Sequence, residues 1–513
     1  MKRKIYEELL QWKKRDAAKC ALLIDGVRRV GKSWIVEEFA RSEYKQHLVI
    51  DFTKASQEVR SLFNDYLDDL DTFFSLLQAY FKVKLVEGDS LVIFDEVQSF
   101  PRAREAIKHL VADGRYHYVE TGSLISIRQN VKDILIPSEE MHIRMFPMDF
   151  EEFLWATGNE VRWEAIKPFF EKKQSPGNML HKIMMDLFRQ YLIVGGMPQA
   201  VLAFLETKGD FMEVDRVKRR ILSLYRDGIQ KHAGALAYRV EAIFDFIPSM
   251  LSRHEKRFSP SEIEDDSRMR DYAEALFWLK DAMIVNPCYN STEPTLGLNL
   301  NLDSSALKCY MADTGLLVSH AFNENTLAAD DIHKRLLFDR LEVNQGMLVE
   351  NMVAQMLAAA GRPLFFFSKY DKSNAEERME IDFLIAKSKI GRARNISPIE
   401  VKSGKNYTTV SLNKFRRKYS SQLDTPCLLH AGDLKTQDGI LYLPLYMTPL
   451  LVENNLPQNI RGNCKTLIEM RVDMNTLASA TPLAARKCGF EPLPWPLRPF
   501  GFFISSGNRA QDR

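Results

Sequence analysis

Ala21-Leu22-Leu23-Ile24-Asp25 runs directly into Gly26-Val27-Arg28-Arg29-Val30-Gly31-Lys32-Ser33, and this stretch decides the fold. The short apolar run fits a buried parallel strand. The eight residues after it match G-x-x-x-x-G-K-[ST] in full, and Ser33 to Arg41 reads as a helix. Strand, loop and helix in that order make a phosphate cradle. Gly26 and Gly31 let the loop turn so that backbone N–H groups, those of Arg29 and Val30 among them, point at phosphate oxygens. The helix adds the positive end of its dipole. Lys32 is expected to bridge the β- and γ-phosphates, and Ser33 to offer its hydroxyl to Mg²⁺. ATP and Mg²⁺ are thus the expected cofactors.

Working outward, His47 to Phe52, Leu91 to Phe94, Tyr116 to Val119 and a segment near His142 to Phe146 read as further strands. A helical stretch carrying Leu70, Phe73, Leu76, Leu77 and Tyr80 lies among them. Strands alternating with helices predict an α/β parallel sheet over the first 150 residues. Asp95 follows four apolar residues, at the strand end where such sheets bind ligands. It is expected to hold the Mg²⁺ shell, with Glu96 polarising the attacking water, which favours hydrolysis over simple binding. In Val119-Glu120-Thr121-Gly122-Ser123 either Thr121 or Ser123 can position that water, or cap a following helix. Asp51 suits a turn.

The remaining composition narrows the classes. The 513 residues are 45% hydrophobic and 27% charged with net charge +2, so real cores form and any nucleic-acid contact must be a local patch. No apolar run approaches the roughly 20 residues that span a bilayer. The N-terminus mixes both charge signs, unlike a signal peptide. Six scattered cysteines without CxxC spacing read as reduced thiols and place the chain in a cytoplasm.

A second constellation lies near the C-terminus. Glu380-Ile381-Asp382-Phe383 is followed by Ile399-Glu400-Val401-Lys402, the PD-(D/E)xK pattern. Strand alternation sends Glu400 and Lys402 to one face, where Asp382 can join them. Two carboxylates suit a hard divalent ion, and the lysine can orient water. An upstream helix places Glu350 as a further metal-ligand candidate, with Val349, Met352, Val353 and Met356 as its buried face. The bland reading is surface ion pairing. Two basic sets could meet phosphates: Arg253, Lys256, Arg257, Arg268 and Arg270, and the tighter Lys414, Arg416, Arg417 and Lys418. Each equally fits a protein contact or a solvated face.

Together GVRRVGKS, LVIFDE, VETGS, FPMDFEEFL, GGMPQAV and Tyr310-Met311-Ala312-Asp313-Thr314-Gly315-Leu316-Leu317 resemble the bacterial and archaeal AAA-type ATPases that carry a DUF4143 C-terminal region. The resemblance implies an α/β P-loop NTPase core of ASCE/AAA type, with a helical lid, a winged-helix region and a restriction-endonuclease-like end domain. The expected divisions are 1–150 core, 151–234 lid, 235–335 winged-helix-like, 336–450 nuclease-like (DUF4143) and 451–513 a poorly ordered tail. Val27 and Ser138-Glu139 depart from the pattern, the latter replacing a Gly-Arg. Arg144, Arg226 and Arg239 remain as arginine-finger candidates. AAA-type sites often lie between subunits, which leaves a homo-oligomer among the expectations, with no membrane partner. The expected function is Mg-dependent ATP hydrolysis coupled to a nucleic-acid-directed end domain. The alternative is a nucleotide-switched regulator whose end domain is catalytically inactive.

Overall fold

The computed structural model describes residues 1–122, 138–253, 255–322, 326–337, 345–386, 395–404 and 406–453. Its first sheet is built from β1 (Ala21–Gly26), β2 (Gln46–Asp51), β3 (Ser90–Asp95), β4 (His117–Gly122) and β5 (Glu140–Met145). They order β2-β3-β4-β1-β5, all parallel. β1 is buried along its whole length because helices cover both faces. Its side chains alternate between two cores. Leu22 and Ile24 pack with helices α1 (Ile5–Arg15) and α2 (Lys32–Glu43), whereas Ala21 and Leu23 pack with α3 (Gln57–Asp65), α4 (Leu70–Phe81) and α5 (Pro101–Asp113). β4 separates β1 from β3, so the C-terminal ends of all three open onto one edge, where such sheets bind ligands.

Five helices follow: α6 (Phe150–Ala156), α7 (Glu160–Lys172), α8 (Asn178–Val194), α9 (Pro198–Glu206) and α10 (Phe211–His232). A capping box of Asp149 and Glu152 starts α6. Helices α11 (Ala237–Ser252) and α12 (Met269–Asp281) lead into the antiparallel pair β6 (Val285–Ser291) and β7 (Leu302–Met311). The helix-then-ribbon order expected for 235–335 is present, but the ribbon does not stand free. β6 also pairs with β8 (Leu364–Lys369), giving a four-stranded sheet β7-β6-β8-β9 with β9 at Met379–Ile381.

Between them run α13 (Thr314–Ala321), α14 (Thr326–Leu337) and α15 (Gln345–Ala359). A third sheet, β10-β11-β12-β14-β13, is formed by β10 (Phe383–Ala386), β11 (Ile396–Val401), β12 (Cys427–His430), β13 (Lys435–Gln437) and β14 (Ile440–Pro444). Helix α16 (Val410–Lys418) connects β11 to β12, and α17 (Leu450–Glu453) ends the described chain. The rest of the expected tail, 454–513, lies outside the described residues.

Helix α15 differs from expectation. It is buried on every side from Met347 to Ala358, not along one apolar stripe. Its polar residues are held inside by partners: Asn351 Oδ1 accepts from Met311 N at 2.8 Å and Gln355 Oε1 from Thr314 N at 2.7 Å.

Candidate nucleotide site and the C-terminal carboxylate cluster

The phosphate loop bends tightly against β5. A Cβ on Gly26 would stand 2.5 Å from Met145 O, so only glycine fits there. Gly31 has φ +99° and caps α2. Lys32 is buried, and its Nζ donates to Gly26 O at 2.8 Å and Val27 O at 3.3 Å. Burial lowers its pKa, opposed by the charges of Glu96, Asp25 and Asp95. The ammonium thus rests on the loop's own carbonyls, facing the space the loop encloses.

The expected catalytic side chains form one network. Ser33 Oγ donates to Asp95 Oδ1 at 2.8 Å, and Thr121 Oγ1 donates to the same oxygen. Glu96 N donates to Thr121 Oγ1 at 3.3 Å, while its carboxylate accepts from Gln98 Nε2. Glu96 has φ +53°, a left-handed conformation uncommon for a non-glycine residue. Ser123 lies outside the described residues. The donor set suits a hard cation: a hydroxyl and a carboxylate beside a loop of N–H groups. These residues fit ATP and Mg²⁺.

A cleft of about 980 Å³ opens over this network. Its lining includes Lys32, Asp95 and Glu96 from the core, and Pro198, Tyr225 and Lys231 from α9 and α10. Tyr225 OH donates to Arg28 O at 3.3 Å, so α10 touches the phosphate loop directly. None of the three arginine-finger candidates lines this cleft. Arg144 Nε stands 3.9 Å from Asp25, Arg226 is bonded to Asp245 at 2.6 Å, and Arg239 lies over the Tyr272 ring. The cations that do line it include Arg3, which no motif pointed to. Arg3 is buried and donates to Val30 O at 3.2 Å, Phe146 O at 2.6 Å and Glu152 Oε1 at 3.0 Å. It straps the loop to the start of α6.

In the C-terminal region Glu400 and Lys402 meet as the alternation expects, whereas Asp382 falls between two strands rather than on one. Phe383 pairs with Ile399, Val401 N donates to Asp382 Oδ2 at 2.8 Å, and Lys402 Nζ lies 2.7 Å from Glu400 Oε1. Glu350 and Asp382 also come together, but around Lys308, a residue that sequence reasoning missed. Lys308 Nζ lies 2.8 Å from Glu380, 3.4 Å from Glu350 and 3.8 Å from Asp382. Lys256 and Tyr310 OH both donate to Glu350 as well. Burial raises the Glu350 carboxyl, yet Lys308 and Lys256 outweigh it and hold it at about 2. Glu400 stands apart with Lys402. Among the described residues no group of three His, Cys, Asp or Glu side chains is arranged to hold a metal ion; here the Lys308 ammonium already occupies the space between Glu380, Glu350 and Asp382, which does not fit a divalent ion.

The basic sets are also engaged. Arg417 and Lys418 pair with Glu376 and Glu377, Lys414 donates to Ala375 O, and Arg416 to Asp438 O. Arg253 pairs with Glu262, Lys256 with Glu350, and Arg257 donates to Ser368 Oγ.

Three families match parts of the chain: an AAA domain (AAA_14) at 18–154, DUF8612 at 185–327 and DUF4143 at 345–447. The second runs across the expected boundary between lid and winged-helix-like region. No curated protein matches. Among solved structures the chain is similar to the Walker-type ATPase PABY2304 of Pyrococcus abyssi, at 15% identity and TM-score 0.37 over 62% of this chain and 95% of that one. It is also similar to the S. cerevisiae Hsp104–ADP complex, at 14% identity and TM-score 0.26 over 71% of this chain and 46% of that one. Both are distant likenesses. No described helix is long and apolar enough to cross a membrane. With the phosphate loop, Asp95 and Glu96 gathered inside the matched AAA segment, the chain carries an AAA-type P-loop ATPase domain, followed by a DUF4143 region.

Proposed function

We propose that the chain is a Mg-dependent ATPase whose nucleotide state is transmitted through the helical lid to the C-terminal region, acting as a switch on a partner. The observation that carries this is a continuous set of bonds from the cleft to α15. Met148, at the cleft, accepts from Tyr191 OH at 2.6 Å, and Gln355 Nε2 of α15 donates to that hydroxyl at 3.0 Å. Asp313 Oδ2 accepts from Gly196 N at 2.6 Å, and its Oδ1 caps α13 through Leu316 N at 2.8 Å.

The chain's own residues then have these roles. Lys32 exchanges the loop carbonyls for phosphate oxygens and stabilises the charge that spreads over them in the transition state. Ser33 and Asp95, already bonded to each other, hold the metal shell. A Mg²⁺ ion held there would offset phosphate charge. Glu96 accepts a hydrogen bond from water as general base, and Thr121 fixes its backbone. Pro198, Tyr225 and Lys231 close the cleft from the lid side and exclude bulk water.

The test joins ATP turnover with amide hydrogen exchange across 345–359. The expected result is turnover abolished in Lys32→Ala and nucleotide-dependent protection of α15 in the parent. Parent-level turnover in Lys32→Ala, or exchange in α15 indifferent to nucleotide, would overturn the reading.

The second reading directs the C-terminal region at nucleic acid, with Asp382, Glu400 and Lys402 as its cleavage candidates and a winged-helix-like segment as a binding element. The Lys402–Glu400 pairing beside Asp382 favours it. Cleavage of DNA or RNA lost in Asp382→Ala and Lys402→Ala would establish it. A homo-oligomer, which could supply an arginine to the cleft from a second copy, is tested by light scattering with and without ATP.

A further inference from the structure

We propose that Lys308 is a built-in cation: its ammonium takes the position that a divalent ion would need among Glu350, Glu380 and Asp382, so this cluster works without metal. The proposal goes beyond the ATPase reading and does not depend on it.

Lys308 reaches the cluster from β7, Glu350 from α15, Glu380 from β9, and Asp382 from the step between β9 and β10. The ammonium is 1% exposed and lies within 3.8 Å of an oxygen of each carboxylate. It also sits 5.0 Å from the centroid of the Phe366 ring, whose face favours a cation. A buried ammonium survives only when paired, and buried carboxylates likewise. The groups therefore hold one another in place. Lys256 brings a second positive charge onto the other oxygen of Glu350.

The charge count points the same way. Two ammonium groups face three carboxylates, and Glu400 is matched separately by Lys402. Adding a divalent ion would set four positive charges against at most three negative ones, beside the buried Lys308 and Glu350 and the partly buried Asp382 and Glu380, with like charges a few ångströms apart. The oxygens would also have to leave Nζ to approach the ion at the 2.0–2.6 Å of a Mg²⁺ or Ca²⁺ site. An ion pair of this kind locks β7, α15 and β9 into one register.

The probe is Mn²⁺ alone, titrated into the nucleotide-free full chain and followed by electron paramagnetic resonance. The parent and Asp382→Asn are expected to bind the same number of ions. One equivalent bound by the parent below millimolar concentration and absent from Asp382→Asn would overturn the proposal. Because no nucleotide is present, the outcome is separate from ATP turnover. Lys308→Met is expected to melt at a lower temperature than the parent and to be restored in part by Mn²⁺. A melting temperature equal to the parent's would count against a charge-balancing lysine. Should this variant not fold, the parent titration decides alone.

Discussion

The two acidic sites of this chain place their lysines differently. At the phosphate loop, Lys32 is turned onto the carbonyls of Gly26 and Val27, while Asp95 receives hydroxyl groups from Ser33 and Thr121 among the described residues. In the C-terminal cluster, Lys308 and Lys256 are seated on the carboxylates themselves. The first arrangement leaves a carboxylate with weak neutral donors, ready for a cation, and a lysine free to move to phosphate. The second has already satisfied its charges. Having acidic side chains converge at strand ends is therefore not enough to make a metal centre. What the neighbouring ammonium groups do decides it.

Substitutions at the two sites should separate them sharply. Glu96→Gln is expected to lower ATP turnover by about 1,000-fold while ATP binding is retained, since it removes a general base but little binding surface. Phosphate release and nucleotide titration read the two effects separately. Lys32→Ala should cost about 100-fold or more in turnover and weaken ATP binding as well, because it removes a charged phosphate ligand. Neither change should alter the stability measured by urea unfolding by more than about 1 kcal/mol, as expected when no partner is left buried and unpaired. The cluster should behave in the opposite way. Lys308→Met leaves uncompensated carboxylates inside and should cost about 3 kcal/mol of stability in urea unfolding. Taken per pH unit, the smallest effect is on the pH dependence of stability. Burial, reinforced by the charge of Glu350, lifts the Asp382 carboxyl to about 7. Between its ordinary value near 3.8 and 7 the folded chain binds more protons than the unfolded one, so stability falls as pH rises through that window. Asp382→Asn should flatten the slope, by at most about 1.4 kcal/mol per pH unit. An unchanged slope would place the carboxylate in wetter surroundings than the structure shows.

The phosphate loop was readable because its chemistry is contiguous: eight residues carry the turn, the lysine and the hydroxyl. Asp95 and Glu96 were readable because a buried strand ends on them. Arg3 and Lys308 were not. Arg3 acts on Val30, Phe146 and Glu152, the last 149 positions away, and Lys308 on Glu350, 42 positions away. Neither falls in a recurring pattern, and a lone lysine on a strand reads as solvated. Helix α15 misled for a related reason. Periodicity reports apolar residues, whereas Glu350, Asn351 and Gln355 are buried through hydrogen bonds from elements distant in sequence. The ribbon of β6 and β7 looked like a wing because its pairing with β8 joins strands more than 60 residues apart.

The turn at Gly195-Gly196 has a mechanical consequence. A Cβ on Gly196 would come within 2.1 Å of Met148 O, and one on Gly315 within 2.4 Å of Val194 O. Main chain lies on main chain at this crossing, with Asp313 pinned across it. The side chain at the crossing, Asp313, is held at both oxygens by backbone N–H groups. On the proposed reading, a tilt of the helices that meet here turns about this backbone crossing as a fulcrum. A few degrees imposed at the nucleotide end would arrive at the far arm as a translation that grows with distance from the pivot.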